Sequence, residues 1–168
     1  RLAATCELTK LLALPTNRPP LLRAHAVAVL LQCADSLNEE LKLAALRGLA
    51  HLRSADFAPS AEQRQRLSPG QVAAEQAAAE ACATQACGEL ALQEGAAVLL
   101  RLARDPGARV RAAALGLLAG LCADEASHAT IEATGAVPLL VALCAADPRH
   151  SAAGGPVPMH VHAAAATE

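Results

Sequence analysis

The chain has 168 residues, 54% hydrophobic and 18% charged, and a formal net charge of −2. That near-neutral charge gives no attraction to nucleic acid or an anionic membrane, and a single aromatic, Phe57, leaves no stacking platform for single strands. The length allows one compact domain or a short repeat array.

Alanine and leucine supply most of the apolar content, and β-branched residues are sparse. Both residue types favour helices, and small side chains suit close helix packing, so an all-α fold is expected. Residues 1–14 read as the end of a helical unit that begins upstream, and the opening at Arg1 suggests a piece of a longer chain. A short segment follows, "NRPPLLRAHA" (17–26), then an apolar helix and the polar break "DSLNEE" (35–40). In the long helix after it, Leu41, Ala45, Leu46, Leu49 and Leu52 recur at three- and four-residue steps and form a broad apolar face.

The stretch "RSADFAPSAEQRQRLSPG" (53–70) is polar and contains Pro59 and Pro69-Gly70. "QVAAEQAAAEACATQAC" (71–87) then predicts a helix, being rich in strong helix formers. A degenerate repeat without its middle helix and a helix extended by insertion both fit 53–87. Next comes a second short segment (86–96), an apolar helix, the break "RDPGAR" (104–109), and a second long Ala/Leu helix. A third short segment (127–136) and apolar helix reach Asp147-Pro148. A Gly/Pro loop (149–159) precedes "VHAAAATE" (161–168), which matches the start of the long helix at 110–117.

These elements repeat. A shift of 69 positions lays 29–52 on 98–121 without a gap, and a shift of 40 lays Gly95-Ala96 on Gly135-Ala136 and Leu99-Leu100 on Leu139-Leu140. One such unit cannot bury its apolar faces alone, whereas stacked neighbours can. The expected organisation is one array: the end of a repeat (1–14), a repeat (17–52), an irregular part (53–87), a repeat (86–124), and a truncated repeat with a loop insert (127–168).

This grammar resembles the armadillo repeat, a unit of three helices with a short first helix ending at Gly-Ala-Val or Gly-Ala-Ile, a second of "xLLxLL" type, and a third of "AAxALxNLA" type. "TIEATGAVPLLVALCAADP" (130–148) looks like the family junction, and "NRPPLLRAHAVAVLL" (17–31) looks like it with Ala26 in place of the glycine. "AALRGLAHL" (44–52) and "AALGLLAGL" (113–121) look like the third helix. HEAT repeats share the helical pattern, but the Gly-Ala-Val junction after a short helix favours armadillo. The resemblance covers the chain outside 53–85 and 149–159, and implies a right-handed α-solenoid of three-helix repeats.

Members of that family bind extended peptides or other domains along a concave face of successive third helices, often with an asparagine near the end of each. Here that position falls on Lys10, His51 and Gly120, and the groove tryptophans of nuclear-import adaptors are missing as well. Helical spacing back from His51 gives Arg47 and Glu40, and from Gly120 gives Gly116 and Arg109. Lys10, Glu40, Arg47, His51, Arg109, Gly116 and Gly120 are therefore the candidate partner-binding residues. The two glycines each cost a helix about 1 kcal/mol relative to Ala, which fits a close approach by a neighbouring helix or a ligand.

Other groups carry less. The six cysteines (Cys6, Cys33, Cys82, Cys87, Cys122, Cys144) have no metal-site spacing and read as buried free thiols of a reducing compartment. His160 and His162 in "MHVH" suit a metal only in an extended segment with a third ligand, and Asp124, Glu125 and His128 fall in a turn between repeats. No catalytic residue, metal site or cofactor is expected, and no apolar run approaches the roughly 20 residues of a membrane span. The expected function is non-catalytic: a scaffold or adaptor binding a protein partner, in the cytoplasm or nucleus. The other reading is a co-chaperone or exchange-factor module gripping a folded client domain.

Overall fold

Caps and breakers place the helix boundaries. In the computed structural model, which describes residues 1–55 and 66–146, α1 (Leu2–Ala13) gives way to a 3-10 turn at Pro15–Asn17 and then α2 (Arg18–Arg23). Pro19 and Pro20 stand in the first turn of α2, where a missing N–H breaks no helical hydrogen bond. After α3 (Ala26–Ala34), Asn38 starts α4 (Glu39–Arg53), its side-chain oxygen accepting from the Leu41 amide at 3.0 Å. Glu39 and Glu40 lie in the first turn of α4 and Arg53 in its last, each at the end the helix dipole favours.

The long helix α5 (Pro69–Ala91) begins with a reciprocal cap. Ser68 Oγ accepts from the Gln71 amide at 3.3 Å, and Gln71 Oε1 accepts from the Ser68 amide at 2.8 Å. It is followed by α6 (Gln93–Leu102), α7 (Ala108–Cys122), a 3-10 turn at Glu125–Ser127, α8 (His128–Ala133) and α9 (Ala136–Ala146). All regular structure among the described residues is helical, with no strand, so the chain is all-α there.

The chain divides into two compact units, Arg1–Ala136 and Val137–Glu168. In the first, α4 is central and packs against α1, α3, α5 and α7. The buried register of α4 reappears on α7 at the 69-residue shift: Leu41 with Val110, Ala45 with Ala114, Leu49 with Leu118, and Leu52 with Leu121. On the preceding helices Val27 pairs in this way with Ala96, Leu30 with Leu99, and Ala34 with Ala103. Leu43, Ala44 and Leu46 are also buried on α4, while their counterparts Ala112, Ala113 and Leu115 are exposed or half-exposed on α7. The difference follows from neighbours, since α4 meets both α1 and α7. In the second unit, the described residues are 137–146 of α9, of which Val137 and Val141 are exposed.

Four local expectations change. The glycine of the Gly-Ala-Val junction is matched by His25, not Ala26: His25 has φ 58° and Gly135 φ 71°, each left-handed and each followed by Ala-Val. Gly95 is no such junction. It lies in the first turn of α6, where a Cβ would stand 2.5 Å from the Leu90 carbonyl oxygen. The short segment 86–96 is likewise not one element, because α5 runs on to Ala91 and the break falls at Leu92. The helix expected over 71–87 extends at both ends to Pro69–Ala91. The loop 149–159 and the segment 161–168 lie outside the described residues.

Candidate functional site

Helices α1, α4 and α7 carry all seven candidate residues. Lys10 on α1 is exposed and donates to Glu7 Oε1 on the same helix at 2.7 Å, a contact that raises its pKa. Arg47 on α4 is exposed and forms no ion pair with another described residue. His51, one turn later, is half-buried. Burial, helped by the positive charge of Arg18, holds its imidazole pKa below the usual value and favours the neutral ring.

Glu40 and Arg109 are brought together, Oε1 to Nη1 at 3.7 Å, across α4 and α7. Both side chains are more than three-fifths exposed, so the pair adds little stability and stays available to a competing ligand. Gly116 is exposed, and a Cβ there would meet nothing within 4 Å; the close approach expected at this position is not made by any neighbouring helix.

Gly120 is different. The guanidinium of Arg53, from the last turn of α4, occupies the space a Gly120 Cβ would need. The position where the family pattern puts an asparagine is thus covered by an arginine from the adjacent helix. Arg53 is half-buried, and its Nε is buried without a hydrogen-bond partner. It was not among the sequence candidates. The readable signal was an arginine closing one long helix beside a glycine near the end of the next.

A second arginine joins helix ends. Arg18 is 4% exposed; its Nε donates to the Leu12 carbonyl at 3.1 Å and its Nη1 to the Ser54 carbonyl at 2.5 Å. Arg18 thereby donates to carbonyls at the C-terminal ends of both α1 and α4. His128 makes the corresponding contact at the end of α7, Nε2 to the Cys122 carbonyl at 2.7 Å, again six residues back. A carbonyl only accepts, so Nε2 carries the proton there. In the same turn Ser127, buried, donates to Asp124 Oδ2 at 2.5 Å.

Two further ion pairs join α3 and α4 to α6 and the loop after it. Lys42 Nζ donates to Asp105 Oδ2 at 2.5 Å, with side chains only 15% and 9% exposed, while Asp105 Oδ1 accepts from the Gly107 amide at 2.8 Å. The Lys42 hydrogen bond, then that of Gly107, keeps the Asp105 carboxyl below its usual pKa. The other pair is Arg101 with Asp35.

Cys82 and Cys87 are buried on α5, and burial pushes both thiols up. Cys6, Cys33 and Cys122 are half-buried and free. Among the described residues, no three His, Cys, Asp or Glu side chains are grouped to hold a metal, and no helix is long and apolar enough to cross a membrane. His160 and His162 lie outside the described residues. No family model matches the sequence, and neither a curated protein nor a solved structure is significantly similar to it.

Proposed function

We propose that the chain is part of an armadillo-like α-solenoid and serves as a non-catalytic protein-binding scaffold, with the partner on the face carried by α1, α4 and α7. The observation that carries this reading is the shared buried register of α4 and α7 at a 69-residue spacing. Helices that repeat their buried positions also repeat their outward ones, which is how stacked repeats build an extended binding surface. Lys10 is paired with Glu7 and Arg109 with Glu40, so Arg47 and Arg53, which form no ion pair with a described residue, give that surface its cationic character. A guanidinium over Gly120 replaces the amide side chain of the family pattern with a planar donor suited to carboxylates and carbonyls. An extended partner segment bearing acidic residues is the ligand this chemistry favours. A cytoplasmic or nuclear setting suits the free thiols.

The test is affinity capture with the full-length protein, followed by Arg47→Glu. Arg47 is exposed, so the variant should keep the wild-type thermal midpoint yet recover at least about tenfold less partner, as expected for reversing a charge that meets its opposite. Undiminished recovery would remove this face from consideration.

A further inference from the structure

An open cleft of about 590 Å³ lies between α3 and the α5–α6 junction, on helices other than the three that carry the proposed scaffold face. Its volume falls within the roughly 300–1,000 Å³ of ordinary ligand clefts. Val27 and Leu31 of α3 and Val98 of α6 supply an apolar lining. At its mouth stands Leu92, the extended residue that separates α5 from α6, 63% exposed. The polar lining is His25, Gln32 and three carboxylates, Asp35, Glu89 and Glu94. Asp35 is paired with Arg101, but Glu89 and Glu94 form no ion pair with a described residue, Glu89 accepting only from Gln85 Nε2 at 3.1 Å. No lysine or arginine among the described residues lines the cleft.

We infer that this cleft docks a cationic amphipathic helix of a protein partner. Apolar side chains on one face of the helix would enter between Leu31, Leu92 and Val98, and flanking lysines or arginines would meet Glu89 and Glu94. Other peptide modes fit less well. Addition of a partner strand needs a sheet edge, and the described residues contain no strand; a polyproline helix needs an aromatic-lined groove, and the chain has a single aromatic, Phe57. A helix satisfies its own backbone and asks only for an apolar trough with complementary charge. The proposal stands apart from the scaffold face, because its residues and its charge preference are different.

Fluorescence anisotropy with the full chain tests it. The probe is a labelled peptide with leucines at helical i, i+3, i+4 and i+7 spacing and lysines elsewhere; its control carries glutamate for every lysine. Saturable binding of the lysine peptide is expected, with no binding of the control. Glu89→Gln with Glu94→Gln, and separately Leu92→Ser, should each weaken binding at least about tenfold while leaving the thermal midpoint near wild type. Failure of the lysine peptide to bind, or equal affinity for wild type and variants, would overturn the proposal. So would sedimentation showing a dimer that Leu92→Ser dissociates, since a second copy would then occupy the cleft.

Discussion

The guanidinium of Arg53 lies where a side chain on Gly120 would otherwise stand, so one long helix completes the surface of the next. Helix glycines in this chain therefore differ in purpose, and substitution separates them. Gly116→Ala adds a methyl into open space and should stabilise by about 0.5–1 kcal/mol through helix propensity. Gly95→Ala would press on the Leu90 backbone and should destabilise by about 1–3 kcal/mol. Gly120→Ala displaces only the far end of a flexible side chain, so it should fall between the two. Urea midpoints of the three variants check the order.

Arg18 is a charged residue used as a structural tie. Removing it leaves carbonyls at the ends of α1 and α4 without their charged donor, and Arg18→Met should cost about 2–4 kcal/mol. Arg18→Lys, which lacks the fork, should recover less than half of that loss. Chemical denaturation measures both.

Lys42 and Asp105 form the most enclosed ion pair among the described residues, and breaking it from one side strands a charge. Lys42→Met should destabilise by about 2 kcal/mol. The depressed Asp105 pKa also sets a pH dependence. Its contribution is complete above the ordinary carboxylate range near 4 and is lost as pH falls from there through the lower folded value. The denaturation midpoint should decline over that interval, and Asp105→Asn should make the decline shallower.

His51 acts at a higher pH with the same sign. Its folded pKa is depressed, so the unfolded chain binds the extra proton first as pH falls below about 6.5. Stability from the neutral ring is full above that value and is lost as pH drops through the folded pKa. Between pH 7 and 5 the wild type should lose stability that His51→Gln does not.

The helical periods were legible because they are local: Leu41, Ala45, Leu49 and Leu52 mark the buried face of α4, and the same spacing marks α7. Backbone conformation was less so. His25 takes a left-handed conformation usually given to glycine, and the Ala-Val after it did not by itself place the junction. Long-range use of charge was hidden altogether. Arg18 and Arg53 look in sequence like solvated helix charges, yet the first is buried against two helix ends and the second covers a glycine far along the chain. The pairing of Glu40 with Arg109 across α4 and α7 was likewise not readable from the sequence.

Partner binding on the face of α1, α4 and α7 is tested most directly by hydrogen–deuterium exchange of the full chain with and without its captured partner. Partner-dependent protection should appear in the last turns of α4 and α7, around Arg47–Arg53 and Gly116–Gly120. Protection confined to α3 and the α5–α6 junction, with those turns unchanged, would contradict the account.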